Sequence, residues 1–188
     1  MNKLVIICGI PASGKSTEAK KLQTRLLKQN KTVKYVSRDN IRFSIINDKD
    51  EYFAKETEVY DKFIDEINNG LLKYDYTIAD ATHLNHHSRE KLLSRIKYPC
   101  MIVGYNVLTN LNTCLERNNK REGRYKVPEK TIKDMYNKFE KIGDNQEENK
   151  RFSHIFTKEE NKELRLDEQE WWLCQSGLRQ IFILIMKM

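Results

Sequence analysis

This 188-residue chain has few cysteines, none closely spaced, and no long apolar run. Its four cysteines, Cys8, Cys100, Cys114 and Cys174, lie far apart with no Cys-x-x-Cys pair, and two of them fall in short apolar stretches. That usage argues against a disulfide framework and for free thiols in a reducing compartment. No apolar stretch approaches the roughly 20 residues needed to cross a bilayer, and the terminal run Ile181–Met186 is too short. The N-terminal MNKLVIICGI has a charge and an apolar run, but it leads into Gly-Ile-Pro-Ala-Ser-Gly-Lys rather than a cleavage site, so it is read as a first buried strand. The expectation is a cytoplasmic protein without a membrane partner. His83, His86 and His87 lie close together, yet no cysteine or acid completes a zinc-binding spacing, so these histidines are expected to be solvated or locally hydrogen-bonded.

What is present is a globular balance, 39% hydrophobic and 32% charged, in a length that suits one domain with a sizeable core. The formal charge of +7 suits a polyanionic partner but also serves ordinary solubility. Short apolar runs alternate with helical periodicity. Strands are expected at Leu4–Cys8, Thr32–Val36, Tyr76–Asp80 and Cys100–Val107, with a fifth around Ile155-Phe156. Helices are expected from Ser16 to about Gln29, from Glu51 to Asn69 with Gly70 as a stop, from Ser88 (as cap) to Ile96, from Leu111 to about Lys120, and from Pro128 to about Ile142. Asp144 to Arg151 reads as a charged loop. The alternation predicts an α/β fold: a parallel sheet of four to five strands with helices on both faces.

Gly9-Ile-Pro11-Ala12-Ser13-Gly14-Lys15-Ser16-Thr17 matches the phosphate-loop pattern G-x-x-x-x-G-K-[ST] between a strand and a helix, the context that confirms it. Its glycines let backbone amides turn inward, and the following helix aims its positive end at phosphate. Lys15 would neutralise the outer phosphate oxygens and Ser16 would ligate Mg²⁺. The cofactors expected are therefore ATP and Mg²⁺, held by residues 9 to 17.

A phosphate loop does not name the acceptor, so the strand ends must. After the second strand, Ser37-Arg38-Asp39-Asn40-Ile41-Arg42 places a carboxylate between two guanidinium groups, on a segment expected to be a loop. Asp39 could take a hydroxyl proton and Arg42 clamp a phosphoryl group, or the segment could simply cap a helix. The third strand ends in Ala79-Asp80-Ala81-Thr82-His83-Leu84-Asn85, where Asp80 could reach Mg²⁺ or the acceptor, or cap a helix. Arg117-Asn-Asn-Lys120-Arg121-Glu-Gly123-Arg124-Tyr-Lys126 is either a solvated basic turn or a hinged lid bringing arginines over a triphosphate.

In this order and at these spacings, GIPASGKST, SRDNIR, ADATHLN and RNNKREGRYKVP resemble the 5′-kinase domain of bacteriophage polynucleotide kinase and its relatives, over about residues 1 to 142. The resemblance implies a P-loop kinase domain, taken as residues 1–150, with a lid at about 117–127; the tail, 151–188, does not match that family and has no assigned role. It implies ATP-dependent phosphorylation of the 5′-hydroxyl of RNA or DNA ends in the cytoplasm, the host's if the chain is phage-encoded, and leaves room for a homo-oligomer. It makes Asp39 the general base and Arg42 the bridge between acceptor-side phosphate and transferring group. Arg38, Asp80 and Thr82 would line the acceptor channel, and Arg117 and Arg121 would be the lid arginines. One extra lid residue before Val127 leaves Arg121 and Arg124 interchangeable. No Asp-x-Asp-Gly-Thr signature occurs, so 3′-phosphatase activity is not expected. The competing readings are a P-loop kinase for a nucleoside, nucleotide or other small hydroxyl compound, and a nucleotide-switched binding protein without transfer.

Overall fold

The computed structural model describes residues 1–47 and 54–159. Five parallel strands form one sheet: β1 (Lys3–Cys8), β2 (Val33–Ser37), β3 (Tyr76–Asp80), β4 (Met101–Leu108) and β5 (His154–Glu159), in the order β2-β3-β1-β4-β5. The central strands read as continuous apolar runs because both faces are covered. Leu4, Ile6 and Cys8 of β1 enter one core with Phe63, Ile64 and Ile67 of α3 (Glu56–Lys73) and Leu92 and Leu93 of α4 (His86–Leu93). Val5 and Ile7 enter the other with Ala19, Leu22 and Leu26 of α1 (Lys15–Lys28). A third, smaller cluster joins Ile10 and Ala12 to Cys114 of α5 (Leu111–Asn119) and Ile132 of α6 (Glu129–Asn137). The doubly covered parallel sheet expected from the alternation is present, and β5 joins it beyond residue 150.

Several local expectations need correction. The Arg38–Arg42 segment is helical, the start of α2 (Arg38–Ile45), because the Ser37 hydroxyl accepts from the Asn40 N–H and caps it. The cap of α4 is Asn85, not Ser88: Asn85 accepts from the Ser88 N–H while the Ser88 hydroxyl accepts from the Asn85 N–H. Gly70 does not stop α3, which runs on to Lys73; a Cβ there would lie 2.6 Å from Thr77 Oγ1, so the glycine serves close approach of helix to strand. The helix after Pro128 ends at Asn137, and the Asp144–Arg151 stretch contains a short helix, α7 (Gln146–Asn149), capped by Asn145. The first residues of the Glu51–Asn69 helix, and Cys174, Trp171-Trp172 and the apolar terminus, lie outside the described residues. Cys8, Cys100 and Cys114 are free thiols, as their spacing implies. No described helix is long and apolar enough to cross a membrane.

Candidate nucleotide and acceptor site

Register brings the functional segments to one edge of the sheet. Ile7 lies across from Asp80, and Asp80 across from Ser37, so β1, β3 and β2 finish level, with the phosphate loop, the Asp80 turn and α2 following directly. Ligands of such sheets bind outside these carboxyl ends.

The loop is held in a constrained form. Ala12 has φ 64° and Gly14 φ 98°, both left-handed, and α1 begins at Lys15 with no side-chain cap on its first amides. Those amides face a ligand position. A Cβ on Gly9 would fall 2.6 Å from Ser13 Oγ and 2.9 Å from the Val107 carbonyl, so only glycine fits. The Gly9 N–H donates to the Thr82 carbonyl (3.1 Å), joining the loop to the turn after β3. Lys15 is buried with its Nζ 3.5 Å from the Ile10 carbonyl. Ser13 Oγ is buried without a protein partner. Inward amides, a buried lysine and a spare hydroxyl are the donor set a triphosphate requires.

Asp80 is buried and accepts from the Tyr35 hydroxyl (2.6 Å). Burial, then the Asp80 charge, raises the Tyr35 phenol's pKa, with Ser37 and Ser16 acting in the opposite direction. Tyr35, a residue that strand alternation alone did not mark as functional, thus holds the Asp80 carboxylate at the strand end. Among the described residues no cluster of three metal-binding side chains exists. A donor set of one serine hydroxyl with one nearby carboxylate fits Mg²⁺, which keeps several waters and leans on substrate phosphates.

On α2, Arg42 Nη1 donates to Asp39 Oδ1 (2.9 Å) and Nη2 to Glu56 Oε2 (2.5 Å). Glu56, at the start of α3, also pairs with Arg38 and so carries both arginines. Its role was not legible, since it lies 14 residues from Arg42 with nothing local to mark it. Arg42 is buried while the Asp39 side chain is 60% exposed. The arginine is fixed and the carboxylate open.

The Arg117–Lys126 segment is clipped at its base. The side chain of Asn118 is buried; its Nδ2 donates to the Val127 carbonyl (2.7 Å) and its Oδ1 accepts from the Val127 N–H (3.0 Å), closing the loop between. Arg117 Nη1 reaches the Ser13 carbonyl (3.4 Å), while Thr109 Oγ1 donates to that same carbonyl at 2.9 Å. Within a 3-10 turn at Gly123–Tyr125, the Arg124 guanidinium lies 4.5 Å from the Phe43 ring centroid on α2 and Tyr125 packs edge-on to it at 4.8 Å. Arg121 is exposed beyond the end of α5. Arg117 therefore faces the phosphate loop, and Arg124, rather than Arg121, faces α2.

Of the two expectations for the histidines, solvated or locally hydrogen-bonded, His83 departs from the first. It is buried at φ 44°, packed near Phe63, and its Nε2 has no partner. Burial, then the positive charges of Arg38, Arg89 and Lys15, push its pKa down to about 3 against a hydrogen bond to the Ala79 backbone. Beneath it Arg89 donates to Glu148 of α7 through Nε (2.5 Å) and Nη2 (2.7 Å), and through Nη1 to the His83 and Glu140 carbonyls (3.1 and 2.6 Å). This fully buried pair fixes the turn behind the site.

A parallel sheet with a glycine-pinned phosphate loop, a strand-end acid and an arginine-bearing segment defines a P-loop kinase-like protein. Within that class the chain belongs to the family described as chromatin associated protein KTI12, whose model matches residues 2–177. It is 29% identical over 146 residues to the L-seryl-tRNA(Sec) kinase of Methanococcus maripaludis, covering 74% of this chain but only 53% of that one, so it spans about half that relative's length. In structure it is similar to Chaetomium thermophilum Kti12 in complex with ADP-AlF3 (TM-score 0.64, 15% identity, 92% and 95% of the two chains). It is also similar to a chain of the Pnkp1/Rnl/Hen1 RNA repair complex (TM-score 0.61, 22% identity, 73% and 43%). These structural likenesses concern the fold alone. The family shown is KTI12 rather than the phage polynucleotide kinases that the motifs resemble.

Proposed function

We propose that the protein is an ATP-dependent kinase that transfers the γ-phosphoryl group to the 5′-hydroxyl of an RNA or DNA end. The observation that carries this is the Asp39–Arg42 pair: an open carboxylate hydrogen-bonded to a buried guanidinium, at the strand end beside Asp80 and the phosphate loop. An exposed base suits an acceptor that arrives as the tip of a chain, whereas a small metabolite needs enclosure. Likeness in fold to a chain of an RNA repair complex and the net charge of +7 support the same class of acceptor.

Residues 9 to 17 hold the triphosphate, with Lys15 on its outer oxygens. Mg²⁺, when bound through Ser16 near Asp80, supplies charge neutralisation at the phosphate oxygens. Asp39 orients the acceptor hydroxyl and accepts its proton as the new O–P bond forms and the bond to ADP breaks. Arg42, held rigidly by Asp39 and Glu56, places its charge on the transferring group, and Arg117 guards the loop from the lid side. Arg38, Asp80 and Thr82 border the acceptor, and Arg121 would approach the phosphates if the lid closes further.

A second reading has one observation in its favour: the 29% identical relative is a kinase named for a seryl-tRNA, so the acceptor could be a small hydroxyl group. The test is label transfer from γ-labelled ATP with Mg²⁺ to 5′-hydroxyl oligonucleotides, nucleosides, 3′-nucleotides and aminoacylated tRNA. Label at the oligonucleotide 5′ end, reduced at least about 100-fold by Asp39→Asn, is the expected result. Label only on the small or aminoacyl acceptors would transfer the protein to the second class, and ATP binding with no acceptor labelled would favour a nucleotide switch.

A further inference from the structure

One aromatic ring outside the phosphate-transfer machinery gathers three positive side chains. Tyr60, in the second turn of α3, has the Arg38 guanidinium 5.0 Å, the Lys91 ammonium 4.8 Å and the Arg95 guanidinium 5.5 Å from its ring centroid. These come from three elements: the start of α2, the body of α4 and the chain just after α4. Like charges repel, so bringing three to one ring costs free energy unless anions offset it. The ring's quadrupole returns part of that. Glu56 meets Arg38, and Asp61 meets Arg95 at 2.7 Å across an exposed pair. No carboxylate among the described residues pairs with Lys91, and Tyr60 Oη is buried with no partner. Burial raises the phenol's pKa and the neighbouring Arg38 lowers it, so it stays a neutral donor.

The patch has a direction. Arg38 immediately precedes Asp39, so one end of the cluster lies at the acceptor site, while Lys91 is exposed on α4 and Arg95 is half-exposed in the turn after it. Clustered cations continuous with a site that takes a chain end match the charged groove that tracks a single strand's backbone, with Tyr60, packed partly against the core, holding the cations together.

We propose that the Arg38–Tyr60–Lys91–Arg95 patch is a track for the backbone of the acceptor strand, binding phosphates inward of its 5′ end. This rests on the reading of the acceptor as a polynucleotide, and it assigns Lys91 and Arg95 to strand binding, outside the transfer step. Such contacts add affinity that depends on acceptor length and on salt.

The experiment compares wild type with Lys91→Ala and Lys91→Ala/Arg95→Ala. Binding of a fluorescent 12-nucleotide 5′-hydroxyl RNA is measured by anisotropy from 50 to 300 mM salt, and transfer to that RNA and to a 3′-nucleotide is measured alongside. The double variant is expected to bind the RNA at least about tenfold more weakly, with a log–log salt slope shallower by about 0.7 for each cation removed. Its turnover of the 3′-nucleotide should be unchanged. Unaltered RNA affinity and slope in a variant that retains wild-type thermal unfolding would overturn the track, as would equal competition by polyglutamate and RNA. If wild type binds the RNA through these residues but labels no polynucleotide end, the track stands and the kinase assignment fails.

Discussion

At the scale of single residues, the site turns on how charge is fixed. Arg42 is buried yet makes two charge-assisted bonds, to Asp39 at 2.9 Å and Glu56 at 2.5 Å, so it is already oriented before any phosphate arrives. An arginine so held has little left to reorganise, and its contribution should fall on the transferring group. Arg42→Ala is therefore expected to lower kcat by about 100-fold or more while the KM for ATP changes little, as steady-state kinetics would show. An effect confined to the ATP KM would place this arginine on the nucleotide side. The motif made Asp39, Arg42 and Lys15 legible because each sits within a few residues of a strand end. Glu56 and Tyr35 were not legible: one acts across 14 residues, the other looks like any strand aromatic until its hydroxyl is seen 2.6 Å from Asp80.

At the scale of elements, the apolar runs marked every strand because the central strands are covered on both faces and carry little else. Helix ends were harder. Asn85 and Ser88 both have cap chemistry, and only the reciprocal bonding shows that Asn85 is the cap. The short α7 was read as loop since its four residues are polar, yet Glu148 there is fully buried against Arg89. This pair crosses 59 residues and fastens α4 to α7 beneath the His83 turn. Removing one partner leaves an uncompensated buried charge. Glu148→Ala should destabilise the protein by about 3–5 kcal/mol in urea unfolding. Arg89→Met/Glu148→Leu should cost clearly less than the single change, because no charge is stranded. Equal losses would mean that the pair's hydrogen bonds to the His83 and Glu140 carbonyls dominate.

At the scale of the whole molecule, three strands ending level bring an electropositive edge together, and His83 is a buried titratable group that feels it. Its imidazole faces Arg38 from α2, Arg89 from α4 and Lys15 from α1, and it is buried beside Phe63 of α3. Its folded pKa, about 3, lies below the ordinary 6.5. The unfolded chain therefore binds a proton between these values that the folded chain does not. Stability is full above about pH 6.5 and falls as pH drops toward 3, by roughly 1 kcal/mol for each pH unit at this one site. Asparagine tolerates the left-handed backbone found at residue 83, so His83→Asn keeps the turn while removing the titration. Urea midpoints measured from pH 7.5 to 4.5 should slope less steeply for His83→Asn than for wild type. Parallel curves would show that the acid sensitivity of the fold belongs to its carboxylates, with His83 taking up its proton over the same pH range in the folded and unfolded chains.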